Sequence, residues 1–268
     1  MRACEPPPFA VAEAGAKAGA RRADEFADGV GHANADTAHA KAAAELTTDL
    51  ATDLTTDARW RAHDLLRLAR LSAYENEPPW VREAWARAPF VVVRRALAAT
   101  GFVAVGVRGS ARAQRYGTWA ETADIEASIA PEDLLHVAPV PTRRALPPMR
   151  ALVALRSAAS PLASFVWGPT GSSGFELATG MPCVTEASDL DLLVRTPHRL
   201  ARATARDLQA ALAEYATHAG LRIDVQLETP MGGVALAELA MGKPRVLVRD
   251  PAGARFVADP WALPAETA

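Results

Sequence analysis

The chain has 268 residues, 50% of them hydrophobic and 22% charged, with a formal net charge of −2. That balance suits one large or two smaller globular domains and excludes the global basic field of a general nucleic-acid binder. No run approaches the ~18 apolar residues that span a bilayer, no signal-peptide core opens the chain, and Cys4 and Cys183 form no disulfide framework; a cytoplasmic protein without nucleic-acid or membrane partners is expected.

Residues 1–57 begin with Pro6, Pro7 and Pro8, alternate alanine with charge, and end in the near-repeat TTDLATDLTTD. Large apolar residues are too sparse there for a core, so a disordered or loosely helical tail is expected. RAHDLLRLARL, from Arg61, predicts a short helical or turn-rich entry, and Trp80, Val81, Ala84 and Trp85 share one helix face. Strands are predicted over 90–93 and 102–107, a helix start at 131–135, and a proline-rich linker over 139–148. A boundary in that linker gives an accessory or substrate-binding α/β domain over 58–145 and a second domain over 146–268.

The second domain opens with a helix-like run over 149–158 and a strand over 164–167, followed at once by GPTGSSG. SDLDLLV (188–194) is a strand. Thr196 suits an N-cap and Pro197 a first helical position, for a helix whose face carries Leu200, Thr204, Leu208, Leu212 and Tyr215 and which Gly220 ends. LRIDVQL (221–227) alternates strictly, Met231, Gly232 and Gly233 read as a turn before a helix, and short strands are predicted over 246–248 and 256–257. Strand, helix and strand with short connections imply a mixed sheet in an α/β (α+β) fold.

Asp189 and Asp191 lie two residues apart in a strand, so their side chains leave one face with α-carbons about 6.5–7 Å apart. Two carboxylates so placed repel each other unless a cation lies between them, and carboxylate oxygens are preferred ligands of Mg2+. In LRIDVQL, Asp224 projects from the polar face with Arg222 and Gln226. If the two strands are neighbours, three carboxylates meet, an arrangement that holds one or two metal ions for in-line displacement at phosphorus. Asp224 is also placed to take a proton from an incoming hydroxyl. The glycines of GPTGSSG let the backbone approach phosphate at a helix N-terminus, and Ser172 or Ser173 adds a hydroxyl; no lysine follows, so this is not the GxxxxGK[ST] loop.

Gly-Ser, an acidic pair in a strand and a third acid on the next strand together resemble the nucleotidyltransferases with a polymerase-β-like core. The pattern maps onto Gly171 and Ser172, Asp189 and Asp191, and Asp224. The gap between Gly-Ser and the acidic pair is longer here, filled by GFELATGMPCVTEA. WGPTGSSGFELATG, SDLDLLVR and RIDVQLETPMGG, with RAHDLL, PFVVVRRA, VGVRGSARAQRYG and DPW, resemble the malonate decarboxylase holo-acyl-carrier-protein synthases, or phosphoribosyl-dephospho-CoA transferases, over 61–261.

The resemblance implies transfer of phosphoribosyl-dephospho-CoA from triphosphoribosyl-dephospho-CoA to a serine of the acyl-carrier subunit of malonate decarboxylase, with loss of pyrophosphate. It also implies Mg2+ held by Asp189 and Asp191, with Asp224 as ligand or base. The phosphates call for cationic donors; lysine occurs only at Lys17, Lys41 and Lys243, so arginine forks are expected. Arg108, Arg112 and Arg115 form the favoured cluster, with Arg94, Arg95 and Arg195 as further candidates. His63 reads as a capping or hydrogen-bonded residue, His136, His198 and His218 as surface, and Cys183 as non-catalytic. Two other readings stand beside this one: a nucleotidyltransferase with another acceptor, and a non-catalytic binding module of the same fold.

Overall fold

A computed structural model describes residues 54–262; of the tail expected over 1–57, all but the last four residues lie outside them. In chain order the elements are β1 (Leu54–Thr55), β2 (Leu65–Leu68), α1 (Pro79–Arg87), β3 (Phe90–Val93), β4 (Ala98–Ala99), β5 (Phe102–Arg108), β6 (Arg115–Glu121) and β7 (Ile125–Ile129). Two 3-10 turns, Pro131–His136 and Pro141–Arg143, lead into α2 (Pro147–Leu155), β8 (Val166–Pro169), α3 (Gly171–Thr179), β9 (Leu190–Arg195), α4 (Arg202–Ala219) and β10 (Ile223–Thr229). The described chain ends with β11 (Gly232–Ala235), α5 (Leu236–Ala240), β12 (Val246–Asp250) and β13 (Gly253–Val257).

These strands form two main sheets, so the fold is α+β. The first is antiparallel, in the order β6-β5-β3-β2-β7; the second is mixed, in the order β13-β12-β11-β10-β9-β8. A parallel neighbour needs a crossover of a dozen or more residues, usually a helix, and α4 supplies it between the parallel strands β9 and β10. Leu190, Leu192 and Val194 of β9 and Ile223, Val225 and Leu227 of β10 bury one sheet face with Ala205, Leu208 and Leu212 of α4. Gly220, with φ +68°, ends α4 in the left-handed conformation. Among the described residues no helix is long and apolar enough to cross a membrane.

Three local expectations are corrected. Of the two readings of RAHDLLRLARL the turn holds at its start, at Ala62 and His63, and the helix does not: His63 has φ +75°, which interrupts a helix. The leucines that follow form β2 between β3 and β7, with Leu65, Leu66 and Leu68 all buried. Thr196 does not cap a helix, because its N–H and hydroxyl both donate to the Glu228 carbonyl, at 2.8 and 3.0 Å; α4 starts only at Arg202. Gly232 and Gly233 lie in β11 rather than in a turn, and pair with β10.

The other face of the mixed sheet is polar and meets the first sheet through arginines. Arg95, just after β3, pairs with Glu228 of β10 and donates to His63 Nε2 at 3.0 Å. Arg195 at the end of β9 reaches Glu132 at 3.1 Å and Asp64 at 3.6 Å, and Arg61 reaches Glu132 at 2.7 Å. Burial, with the Arg95 and Arg195 charges, pushes the His63 imidazole down to about 3, so it is neutral at any ordinary pH. The turn Pro131–His136 crosses β8 so closely that a Cβ on Gly168 would collide with the Pro131 carbonyl. Backbone cannot yield there as a side-chain tip can. Gly168→Ala is therefore expected to destabilise the protein by about 1–3 kcal/mol, read as a lower urea midpoint with unchanged slope.

Candidate functional site

The parallel register of β9 and β10 sets Asp224 opposite Asp191. Asp189 sits one residue before β9 begins. Burial raises the Asp191 carboxyl above its ordinary value, and the negative charges of Asp224 and Asp189 raise it further, against the opposing pull of Arg108 and Arg112. The two strands thus bring the three predicted acids into one electrostatic cluster.

α3 closes one side. The Thr170 N–H donates to the Asp191 carbonyl at 2.8 Å, which fixes the helix start beside the acids. Gly171 follows with φ +57°, and a Cβ there would collide with Asp191 Oδ2. Glycine is needed on both counts, conformation and close approach. Ser172 and Ser173 are buried in the first turn, and Ser173 Oγ has no hydrogen-bond partner.

The arginines arrive from the other sheet. Arg108 and Arg115 pair at the end of the β5–β6 hairpin. Its loop is tied by Gln114, whose Oε1 accepts from the Ala111 N–H at 2.9 Å and whose carbonyl accepts from the Gly109 N–H at 3.1 Å. Arg112 crosses to Asp189 Oδ2 at 2.9 Å. Burial lowers the Arg115 guanidinium, as does the neighbouring Arg108 charge, while Cys183 and Asp191 act the other way. Arg108 Nε is buried without a hydrogen-bond partner. Guanidinia gathered beside carboxylates, Arg112 and Arg115 exposed and Arg108 half-buried, are suited to phosphate oxygens.

Not every predicted cation joins this cluster. Arg95 and Arg195 are engaged in the contacts between the sheets described above. A residue missed in the sequence as a site member is Arg222: its Nη2 lies 3.0 Å from Asp189 Oδ2 and 2.6 Å from Asp224 Oδ2. The alternation of LRIDVQL, which places Arg222 and Asp224 on one face, was the available signal. Among the described residues no three of His, Cys, Asp and Glu form a ready metal-ligand set; Arg222 and Arg112 occupy the carboxylates instead. The donors are still of the type Mg2+ takes, all carboxylate oxygens, and Gly171 has no side chain to cover Asp191 Oδ2. On donor chemistry the three acids fit the ion.

The inserted GFELATGMPCVTEA is the end of α3 and a loop folded back on it. Glu176, buried in α3, accepts a two-pronged pair from Arg143, at 2.9 Å on each oxygen, and the N–H groups of Cys183 and Val184, both at 2.8 Å. Cys183 Sγ donates to the Ser172 carbonyl at 3.3 Å, and burial raises its thiol, as suits an unreactive cysteine. Against burial, which acts to raise it, the Arg143 fork and the two N–H groups hold the Glu176 carboxyl below its usual value.

Residues 61–131 match the family model for the phosphoribosyl-dephospho-CoA transferase MdcG N-terminal domain, and residues 134–260 that for the MdcG C-terminal domain. A phosphoribosyl-dephospho-CoA transferase of Pseudomonas putida is 47% identical over 206 residues, 76% of this chain and 96% of that protein. One from Pseudomonas aeruginosa is 44% identical over 202 residues, 75% of this chain and 93% of its own. One from Azotobacter vinelandii is 42% identical over 205 residues, 74% of this chain and 93% of its own. No solved structure matches the chain.

Two outcomes are expected. A carboxylate whose folded state favours the protonated form is a net cost when ionised, so Asp191→Asn should raise the melting temperature of the metal-free protein by a few degrees at neutral pH; calorimetry in chelator checks this. Glu176 has the opposite sign. Its contribution is complete above the unfolded value of 4.5 and is lost as pH falls through the lower folded value. Glu176→Gln should lower stability at pH 7 and flatten the acid limb below 4.5, as measured by denaturant midpoints across pH.

Proposed function

The chain belongs to the phosphoribosyl-dephospho-CoA transferase family, a family of transferase enzymes, and on that premise we propose the reaction it performs. It transfers the phosphoribosyl-dephospho-CoA group from triphosphoribosyl-dephospho-CoA to a serine of the acyl-carrier subunit of malonate decarboxylase and releases pyrophosphate. One observation carries the reading: acids from two parallel strands meet arginines from a separate hairpin, with a glycine bordering the most buried acid.

Asp189, Asp191 and Asp224 hold one or two Mg2+ ions in this proposal. When bound, the metal neutralises the phosphate oxygens and makes the α-phosphorus a better electrophile. Arg112 and Arg222, paired with the acids in the free protein, would be released for phosphate by a bound metal, and Arg108 and Arg115 bind the β- and γ-phosphates that leave. Gly171 and the Ser172 turn present backbone donors at the start of α3 to the same phosphates. Asp224, the most exposed acid, takes the serine proton as the serine oxygen bonds to the α-phosphorus. The bond from the α-phosphorus to its bridging oxygen breaks, and that oxygen leaves with pyrophosphate. Positioning and charge do most of the work at such a centre.

Purified protein incubated with Mg2+, the triphosphate donor and apo-carrier should add the mass of the whole phosphoribosyl-dephospho-CoA group to the carrier. Addition of an AMP mass from ATP instead would favour a nucleotidyltransferase with other substrates. Asp189→Asn and Asp191→Asn are expected to cut the rate by at least about 100-fold while the protein stays folded by circular dichroism. Excess chelator should abolish transfer. Near wild-type turnover in either variant, or in chelator, removes the metal assignment.

A further inference from the structure

The face of β10 that carries Asp224 continues through Gln226 to Glu228, all on the side opposite the buried Ile223, Val225 and Leu227. At the Glu228 end lies a second concavity, a cavity of about 370 Å³ between the two sheets. Its walls include Trp60, Arg94, Arg95, Phe102, Glu228 and Met231. Four residue steps along the strand take Asp224 to Glu228, about 13 Å at ~3.3 Å per residue. Arg95 stands between the two regions. It pairs with Glu228, and with the amide oxygen turned inward Gln226 accepts from its two Nη atoms at 2.7 and 2.6 Å. Its Nε is buried with no hydrogen-bond partner.

Such a pocket offers two kinds of recognition at once. Aromatic and thioether side chains provide a flat apolar surface, and two adjacent guanidinia provide charge, with the buried Nε of Arg95 as the unused donor. The ligand class this suits has an aromatic base or apolar chain joined to a diphosphate. The proposed donor has such a part: its dephospho-CoA arm carries adenine, a diphosphate and pantetheine, joined through a ribose to the triphosphate. With the triphosphate at the acids, the cavity lies within reach of the rest of the molecule along the polar face of β10, with Arg95 at its near wall.

We infer that the cavity between the sheets is the subsite for the dephospho-CoA arm, so that the donor lies along β10 with its triphosphate at the acids and its nucleoside diphosphate beside Arg94 and Arg95. The ligand rests on the proposed function; the cavity and its residues do not.

Ala58 is exposed at the cavity rim, so Ala58→Trp narrows the entrance without disturbing a core. The probe is dephospho-CoA itself, which has no triphosphoribosyl group, titrated calorimetrically into the full chain in chelator. Millimolar or tighter binding is expected, weakened about tenfold or more by Ala58→Trp at an unchanged melting temperature and held within about twofold in Asp191→Asn. In the transfer assay Ala58→Trp should raise KM for the donor with little change in kcat. Absence of dephospho-CoA binding, wild-type binding by Ala58→Trp, or loss of binding in Asp191→Asn overturns the subsite. If the chain binds dephospho-CoA as described but modifies no carrier, the subsite stands and the transfer reaction falls. If transfer proceeds with an unaltered donor KM in Ala58→Trp, the reaction stands and the subsite falls.

Discussion

The parallel register of β9 and β10 sets two carboxylates, Asp191 and Asp224, side by side at the start of neighbouring strands. Left alone they repel each other, and burial of Asp191 sharpens the conflict because low-dielectric surroundings penalise its charged form. Most of the surrounding architecture answers that conflict. Arg222 is supplied by the residue just before β10 and Arg112 by a hairpin of the other sheet, and α3 begins with the one residue that leaves the Asp191 oxygen uncovered. An arrangement that costs stability in the free protein and is relieved by cations is consistent with the proposed site for a metal-bound polyphosphate.

The same sheet face is used again at its far end. Arg95 and Arg195 cross to Glu228, Glu132 and Asp64 and hold the two sheets together through paired, partly desolvated charges. Such pairs add little net stability over a well-packed apolar contact, but losing one partner is costly because a buried charge is left unpaired. Their value here is alignment. The neutral His63 beneath Arg95 fits that role, since it accepts a hydrogen bond without adding a third charge.

Much of this was legible in the sequence where periodicity and chemistry agreed. The alternation of LRIDVQL fixes which face Asp224 takes, Gly220 marks the end of α4, and the spacing of Trp80, Val81, Ala84 and Trp85 is that of α1. Reading failed where a tertiary contact decides the local structure. The leucines after Arg61 could suit a helix, and only the left-handed backbone at His63 and the flanking strands make them β2. Thr196 has a capping residue's chemistry, but its hydroxyl is used on a carbonyl of β10. β6, RYGTWAE, lacks a clear apolar alternation and becomes a strand through full-length pairing with β5. The part played by Arg222 depends on which acids its fork reaches, which residue spacing does not specify. The Glu176 latch is similar: it joins Arg143, α3 and the loop before the acids, three segments that nothing in the linear order connects.

The carboxylates all belong to one layer, while Arg108, Arg112 and Arg115 belong to the other. Neither half was shaped in isolation. A change in the packing of either layer, even one far from the pocket, slides positive groups relative to negative ones and resets the spacing on which both depend. Substitutions at the seam between layers therefore act on the charge cluster itself, and a graft of the acidic half onto another scaffold would bring Arg222 but leave Arg108, Arg112 and Arg115 behind.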